Sequence, residues 1–428
     1  MKFLHISDLH IGKRINEFSM LEDQKYILDK IITIAEREQA EGVLLAGDIY
    51  DKTVPSAEAV QVFDRFLTGL AKRKIKVFAV SGNHDSPERI AFGAELMKVK
   101  GVYLSPVYDG RVAKVALEDT YGKLYVHLLP FVKPATVRHG LEVQQTLQQE
   151  RSNGVESSLQ QERSNGAESS LQRERSNGTE PSVPPEGGSA AEPSKLPESY
   201  NEAVRAVVER MEVDADQRNI LVAHQFVTGA SRCESEETAV GGLDNVDADL
   251  FDAFDYVALG HIHSPQHVGR DTLRYCGTPL KYSFSEAEQE KSVTVVELRE
   301  KGQVELRQIP LTPLRDMRRI RGTYMEVMDR NFYQGTNRED YVQITLTDEE
   351  DVPDGLQRLR KVYPNLMRLV YDNARTRQSR EVGAAEELER KSELELFSDF
   401  YVLQNNQTMS AKQTELVRQL IQESMGCT

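Results

Sequence analysis

Five short clusters of Asp, Asn and His occur along this 428-residue chain, and each follows a run of apolar residues. Their side chains are of the kinds that bind metal ions or transfer protons. In chain order they are Asp8 and His10, Asp48 and Asp51, Asn83 with His84 and Asp85, His224, and finally His261 and His263. Asp8, Asp48, the Asn and the five His are therefore candidates for one shared site.

The mixture of side chains indicates which metal they suit. Neutral imidazole, carboxylate and amide oxygen together favour a borderline-hard divalent ion such as Mn²⁺, with Mg²⁺ as a second possibility, whereas a Cys-rich set would indicate structural zinc. Even seven of these eight candidates are too many ligands for one ion, so we interpret the set as holding two ions that share a bridging carboxylate. Two ions about 3.5–4 Å apart can activate water and stabilise both oxygens of an in-line displacement at phosphorus.

The apolar runs that precede the clusters must position them. They lie at 2–7, 42–46, 75–81, 219–223 and 255–259, and such short, nearly continuous runs are typical of strands buried on both faces. Side chains just past the carboxyl ends of such strands converge on a common crevice in α/β sheets. Helical patterns near 21–39 and after Pro55 alternate with the first three runs. The sequence therefore predicts an α/β fold with one site at the strand ends.

Length and cysteine usage limit the class of protein. A chain of 428 residues is long enough for two or three domains. No apolar stretch approaches the roughly 20 residues that cross a bilayer, and we see no signal peptide. The three cysteines, Cys233, Cys276 and Cys427, are widely separated and match no metal or redox spacing. We therefore expect a cytoplasmic protein with no membrane partner.

The net charge of −15 is unevenly distributed. Residues 201–280 carry 6 Lys and Arg against 14 Asp and Glu, whereas residues 1–135 carry 19 against 18. Bound divalent cations would offset part of the acidic excess. The charge therefore argues against a large surface for wrapping DNA, but not against a small metal site that handles nucleic acid.

The composition changes abruptly between about 136 and 198. A 12-residue unit occurs there three times, at 147–158, 159–170 and 171–182, and each copy has one Leu and no aromatic residue. Such a segment buries too little apolar surface to offset the entropy of ordering it. We predict a disordered insertion on a surface loop across 136–198, with a partner-binding segment as the alternative.

The chain changes character again after Pro313. Strands near 323–328, 341–346 and 367–371 and a helix near 356–363 predict a small α+β unit. We therefore divide the chain into domains at 1–312, 313–375 and 376–428. The last contains two helical segments, 384–403 and 410–425, which either dock into a partner or pack back on their own domain.

Taken together and in this order, the motifs resemble the calcineurin-like metallophosphoesterase superfamily. They are Asp8-x-His10, Gly47-Asp48-x-x-Asp51, Gly82-Asn83-His84-Asp85, a lone His224 after a strand, and Gly260-His261-x-His263. The stretches 5–13, 82–89, 224–227, 259–266 and 279–286 further resemble the SbcD family, the nuclease subunits of bacterial SbcCD complexes. The likeness spans the chain except the 12-residue repeats, and its specificity comes from five motifs in the right order.

The resemblance implies a fold and a role for each position. The fold would be a β-sandwich flanked by helices, followed by a small α+β capping domain and a C-terminal helical tail. Asp8, His10 and His263 would hold one Mn²⁺, and Asn83, His224 and His261 the other, with Asp48 bridging. His84 would contact the scissile phosphate and help protonate or stabilise the leaving oxygen. Asp51 and Asp85 would not bind the ions but would orient the His ligands or the backbone. Archaeal relatives carry a His where Asp51 stands, so the resemblance implies no further catalytic role for that position.

The resemblance also implies partners. The family's partner is SbcC, an ATPase with long coiled coils that is held partly by the C-terminal helices, and the capping domain helps to admit DNA. The implied function is ATP-dependent exonuclease action on double-stranded ends and endonuclease action on single strands and hairpins, in DNA repair, replication and recombination. We also expect a homodimer within a heterotetramer.

Two other functions are compatible with the motifs. The same two ions could serve a phosphatase or phosphodiesterase acting on nucleotides or phosphoproteins. Alternatively, the chain could be a non-catalytic scaffold, which ranks low because no ligand is missing. The remaining histidines, His5, His127, His139 and His267, lack clustered partners, and we predict structural or solvated roles for them.

Overall fold

The computed structural model describes residues 1–146, 196–231, 244–373 and 409–425, together with residues 394, 397, 398 and 401. The chain divides into two compact units, Met1–Met317 and Arg318–Thr428. The 12-residue repeats at 147–182 lie outside the described residues, and so does most of the helical segment predicted at 384–403.

The first unit contains two six-stranded sheets. The strands of the first sheet are β1 (Lys2–Ile6), β4 (Gly42–Ala46), β5 (Lys76–Val80), β6 (Val102–Leu104), β15 (Ser292–Leu298) and β16 (Val304–Pro310). Their order is β16-β15-β1-β4-β5-β6. The four strands from β1 to β6 are parallel, and β15 and β16 close the other edge with antiparallel pairings.

The second sheet also has four parallel strands, but it has one antiparallel strand at each edge. Its strands are β7 (Ala113–Asp119), β8 (Gly122–Leu129), β9 (Arg218–His224), β12 (Tyr256–Gly260), β13 (Gln266–Val268) and β14 (Arg270–Tyr275). Their order is β13-β14-β12-β9-β8-β7, with the four central strands parallel. Two short pairs lie outside the sheets: β2 (Arg14–Ile15) with β3 (Phe18–Ser19), and β10 (Phe226–Val227) with β11 (Asn245–Val246).

The two sheets pack face to face. Their inner faces share one buried cluster, which includes Phe3, Leu44 and Phe78 from the first sheet and Val126, Val222 and Ala258 from the second. Helix α2 (Ala57–Lys72) packs on β5, with α1 (Leu21–Arg37) beside it. The outer face of the second sheet packs against α6 (Tyr200–Arg210). The central strands are thus covered on both faces, which explains their continuous apolar runs and confirms the predicted sandwich.

The predicted insertion begins too early in the sequence. Residues 134–146 form a helix, α5, in which Val137 and Leu141 are buried in the same cluster as the outer face of the second sheet. These two apolar side chains lie four positions apart on one helix face, so this stretch does bury enough surface to be ordered. Two short helices, α3 (Pro87–Ile90) and α4 (Ala94–Lys98), follow β5 in the first unit.

The second unit is the α+β structure that the sequence predicts. Its sheet has the order β17 (Met317–Gly322), β18 (Tyr341–Leu346) and β19 (Leu366–Tyr371). Helices α7 (Tyr324–Met328), α8 (Arg330–Tyr333) and α9 (Gly355–Arg360) accompany it, and a further helix, α10, spans Ala411–Met425. The predicted strand at 323–328 is wrong, because Thr323 and Glu326 form a capping box that begins α7 there.

The boundary between the units lies after the predicted position of 312/313. Arg315 donates to the carboxylates of Glu22 and Asp23, and Asp316 pairs with Lys281, so these residues belong to the first unit. The charge pattern of the sequence could not reveal the partners of Arg315, because they lie almost 300 positions earlier in the chain.

Candidate metal centre

The predicted ligands follow strands whose carboxyl ends lie at one edge of the sandwich. In the first sheet Asp8 and His10 follow β1, Asp48 follows β4 and Asn83 follows β5, and in the second His224 ends β9 while His261 and His263 follow β12. Because β1, β4 and β5 are neighbours, as are β9 and β12, two short rows of ligands face each other across the sandwich.

The turns that carry the ligands have unusual backbone conformations. Asp8, His10 and Asp48 have φ values of 53°, 43° and 48°. These lie in the left-handed region, which residues other than Gly rarely adopt. The N–H of Asp8 donates to the carbonyl of Gly47 (3.0 Å), and the N–H of His10 donates to that of Asp48 (2.9 Å). These bonds hold two strained turns together, a feature that is common at functional sites.

Three motif glycines are required because the turns approach one another so closely. A Cβ on Gly82 would lie 2.0 Å from Oδ1 of Asp48, and a Cβ on Gly47, whose φ is +83°, would lie 2.4 Å from Nδ1 of His224. A Cβ on Gly260 would lie 1.8 Å from the carbonyl oxygen of Ala46. The glycines of the motifs therefore allow one turn to pack directly on the next.

One set of donors gathers around His10. Donor atoms of Asp8, His10 and His263 all lie within 4.8 Å of one another, and all three residues are buried. Nε2 of His10 is 3.2 Å from Nε2 of His263. These are the three residues predicted to hold the first ion.

A second set gathers around Asn83. Its Oδ1 lies 2.9 Å from Nε2 of His224 and 3.1 Å from Nδ1 of His261. Asp48 lies between the two sets, because its Oδ2 is 3.4 Å from Nε2 of His224 and 3.7 Å from Nε2 of His10. The seven predicted ligands thus form two adjacent groups joined by one carboxylate.

The electrostatics of the cluster fit divalent cations. Burial raises the pKa of Asp8 to about 6 and lowers the pKa of His10 well below its ordinary value. Burial alone would also raise the pKa of Asp48 and lower that of His224. Their opposite charges outweigh burial, so the pKa of Asp48 falls well below its usual range and that of His224 rises to about 9. Fully buried carboxylates among imidazoles, with oxygen and nitrogen donors converging, are a donor set that suits Mn²⁺-like ions.

In each candidate histidine ligand, one ring nitrogen points away from the other donors. That nitrogen faces an acceptor. Nδ1 of His224 donates to the carbonyl of Ala46 (2.8 Å). The others face carboxylates at ion-pair distance: Nδ1 of His10 to Asp51 (3.9 Å), Nε2 of His261 to Asp244 (3.9 Å) and Nδ1 of His263 to Glu286 (3.7 Å). Such acceptors orient a ligating imidazole and select its tautomer.

Two of these acceptors, Asp244 and Glu286, were not among the residues selected from the sequence. Asp244 follows a stretch of sequence that is rich in Gly and acidic residues, and Glu286 ends the short 3₁₀ helix that begins at Phe284. Neither directly follows an apolar strand, and although Glu286 ends the stretch 279–286 that resembles the SbcD family, the resemblance gave it no role at the site. Asp51 and Asp85 lie beside the cluster: Asp51 pairs with Lys13 (2.8 Å), and Asp85 accepts the N–H groups of Ile49, Tyr50 and Gly82.

His84 lies at the edge of the cluster. Its Nδ1 is 3.1 Å from the carbonyl oxygen of Asp51, and its Nε2 is 4.0 Å from Oδ2 of Asp48. The side chain is 19% exposed, whereas those of Asp48 and His10 are at most 4% exposed. By distance alone His84 could join His10 and Asp48 around an ion, but its exposure also makes it accessible to a substrate.

Two of the remaining histidines have structural surroundings. His5 is buried between the sheets, where its ring nitrogens contact the hydroxyl of Tyr256 (2.9 Å) and the carbonyl of Leu259 (3.1 Å). His127 contacts Oδ1 of Asn219 (3.1 Å). Burial lowers the pKa of His5 to about 3 and that of His127 to about 4, so both are neutral imidazoles.

Comparison with known proteins agrees with this geometry. A family model described as calcineurin-like phosphoesterase matches residues 1–265, which is more than half of the chain. This chain therefore belongs to the calcineurin-like phosphoesterase family, and it is a metal-dependent phosphodiesterase by class. A second model, described as type 5 capsule protein repressor C-terminal domain, matches residues 313–405.

One curated relative is similar along almost the whole chain. The SbcD subunit of the SbcCD nuclease of Staphylococcus epidermidis is 27% identical over 428 residues, covering 98% of each protein. The resemblance to the SbcD family predicted from the motifs is thereby confirmed. A crystal structure of a Thermus thermophilus protein covers 72% of this chain and 98% of its own at 12% identity, but its TM-score of 0.34 is too low to add to the assignment. Among the described helices, none is both long and apolar enough to span a bilayer.

Proposed function

We propose that this chain is the nuclease subunit of an SbcCD-type complex and cleaves DNA phosphodiester bonds with two Mn²⁺ ions. The observation that carries the proposal is the convergence of seven donor side chains beside His84. It is supported by the similarity of the chain, over 98% of its length, to a relative named as a nuclease subunit.

We assign the donor groups to the two ions as the resemblance to the family implies. Asp8, His10 and His263 would hold one ion, and Asn83, His224 and His261 the other, with Asp48 shared between them. When bound, the ions would activate water and stabilise negative charge on the phosphodiester. Four imidazoles among the donors favour Mn²⁺ over Mg²⁺, which prefers oxygen ligands.

His84 would supply the proton for the leaving oxygen. Its Nδ1 is occupied by the carbonyl of Asp51 (3.1 Å), which orients Nε2 toward the cluster. Its partial exposure, 19%, gives a bound phosphodiester access to it. A positioned general acid contributes about 10²–10⁴-fold to the rate.

The test is the replacement His84→Ala in the full chain. We expect Mn²⁺ binding to match the wild type, because none of the seven donors is lost, and DNA cleavage to fall by about 10²-fold or more. His267→Ala is the matched control, since His267 is 53% exposed and pairs only with Asp271 among the described contacts. Full activity of His84→Ala would remove the assigned role. Loss of bound Mn²⁺ would instead make His84 a ligand.

A substrate comparison separates the proposed nuclease from a phosphodiesterase that acts on small molecules. Hairpin DNA, double-stranded ends and a small phosphodiester such as bis-p-nitrophenyl phosphate are offered with Mn²⁺, each with and without the ATPase partner and ATP. We expect hairpin cleavage with Mn²⁺ and stimulation of the double-strand exonuclease by the ATPase. Hydrolysis of the small substrate alone would favour the alternative.

Two exposed apolar surfaces support the proposed partners. In α10 the side chains of Leu416 and Leu420, one helical turn apart, are 56% and 55% exposed, which suits docking on a coiled-coil ATPase. In the first unit Phe92, Leu96 and Val99 are 83%, 82% and 84% exposed. Large apolar side chains clustered in this way mark contact surfaces, and we propose that a second copy of the chain packs on them.

A further inference from the structure

Glu286 is a fully buried carboxylate directly behind His263. Its side chain is inaccessible to solvent, and its Oε1 lies 3.7 Å from Nδ1 of His263. On its opposite side the same imidazole presents Nε2 to His10, at 3.2 Å. One ring nitrogen of His263 therefore faces the donor cluster, and the other faces Glu286.

Glu286 is itself held in place from several directions. Its Oε2 pairs with the ammonium of Lys291 (2.5 Å) and accepts from the hydroxyl of Thr278 (3.3 Å). Its Oε1 accepts from the N–H of Tyr282 (3.3 Å). These contacts leave the carboxylate little freedom to rotate away from His263.

Lys291 contacts both the carboxylate and the residue that the carboxylate faces. Its ammonium donates to the carbonyl oxygen of His263 (2.9 Å) as well as to Glu286, and it is only 5% exposed. The N–H of Thr278 donates to the same carbonyl oxygen (3.1 Å). The backbone and the ring of His263 are thus restrained by one small network.

The cost of burying this network indicates that it does more than stabilise the fold. Removing a carboxylate and an ammonium from water costs several kcal/mol per ion, and apolar residues of similar size often serve stability as well or better. A carboxylate that faces the outer nitrogen of a ligating histidine has a known physical use, since it selects the tautomer and increases the basicity of the ligand.

We propose that Glu286, held by Lys291, is a positioning residue for His263. It accepts the Nδ1 proton of His263, so the Nε2 lone pair is directed at the ion site shared with Asp8 and His10. The inference rests on the proposed function, because it requires His263 to bind one of two metal ions. The inference assigns Glu286 the role of orienting His263 and Lys291 the role of holding Glu286, and the sequence motifs reveal neither role.

The experiment measures Mn²⁺ binding by the full chain, with titration calorimetry for affinity and electron paramagnetic resonance for the pairing of ions. Glu286→Gln keeps the size of the side chain and removes its charge. We expect the affinity for one ion to fall by about 10–100-fold, with the other changed little, so the coupled spectrum gives way to that of an isolated ion. Glu286→Asp should recover part of the loss.

Two further variants make the test decisive. Glu290→Gln, on an exposed position of the same loop, is the matched control and should bind both ions normally. The double variant Glu286→Gln/Lys291→Met removes both buried charges and so leaves no ammonium without its carboxylate. It replaces the single variant Glu286→Gln if that protein fails to fold. Normal binding of both ions by folded Glu286→Gln, or by the folded double variant, would overturn the inference while leaving the proposed function intact. Absence of Mn²⁺ binding by the wild type would overturn both.

Discussion

Gly260→Ala is a sensitive test of how closely the two sheets approach at the metal centre. A Cβ at this position would lie 1.8 Å from the carbonyl oxygen of Ala46 and 2.8 Å from Nδ1 of His224. Real Cβ atoms essentially never come closer than 3.0 Å to a neighbour, so the end of β4 and the end of β12 would have to separate by about 1.2 Å. Gly260 is not in the left-handed region, so the effect is steric.

The magnitude of the effect follows from what the displaced atoms do. The carbonyl of Ala46 accepts the Nδ1 proton of His224, so moving it moves a candidate ligand of the second ion. Overpacking a rigid interior costs about 1–3 kcal/mol of stability. Misplacing reacting groups by about 1 Å costs on the order of 10²-fold in rate. We therefore expect modest destabilisation and a loss of phosphodiester hydrolysis of about 100-fold.

The assay combines thermal unfolding, Mn²⁺ titration and hydrolysis of a small phosphodiester, so that folding, binding and turnover are read separately. Gly322→Ala is the control, because its added Cβ would lie 3.2 Å from the flexible end of Glu326 and 3.4 Å from Cγ2 of Val327, which is ordinary van der Waals contact, and its backbone is not left-handed either. A Gly260→Ala protein with the stability and rate of the wild type would refute the close approach on which this reasoning depends.

Three further predictions concern other parts of the chain. Burial opposes ionisation of Asp119, but hydrogen bonds from Arg218 and the Met1 ammonium outweigh it and hold the pKa of Asp119 well below its usual range. Asp119→Asn should therefore lower the free energy of unfolding by about 2–4 kcal/mol at neutral pH. A depressed pKa stabilises fully only above the unfolded value of about 3.9, and this stabilisation is lost progressively as the pH falls toward the folded pKa, so the stabilities of the two proteins should approach each other below that unfolded value; parallel curves would contradict the pairing. Asp244→Asn should weaken the binding of the ion that we propose Asn83, His224 and His261 hold, by about 10-fold or more in Mn²⁺ titrations. An unchanged titration would show that Asp244 does not support His261. Phe92→Glu/Leu96→Glu should convert the dimer that we propose into a monomer in sedimentation experiments at unchanged melting temperature, whereas a persistent dimer would place the second copy elsewhere.

Local sequence patterns were sufficient to predict the buried strands and the clusters of candidate ligands at their ends, whereas the sandwich was implied by the resemblance to the phosphoesterase family. A strand buried on both faces is a short apolar run, and the residue that follows it is necessarily at an edge of the sheet. For this reason Asp8, Asp48 and His224 could be assigned to one edge without knowing the strand order. The same reasoning failed at Thr323, where a capping box was read as part of a strand, and at Val137, where a helix was read as disorder.

Tertiary structure alone decided how the ligands are supported and how close they come. Glu286 lies 23 positions after His263 and follows no strand, yet it faces Nδ1 of that histidine because the chain returns to the site before β15. The roles of Gly82 and Gly260 likewise depend on atoms of Asp48 and Ala46, which belong to β4 and the turn that follows it. A residue's type and spacing record its own chemistry and local conformation, whereas contacts across the sandwich depend on the packing of both sheets, which no local pattern encodes.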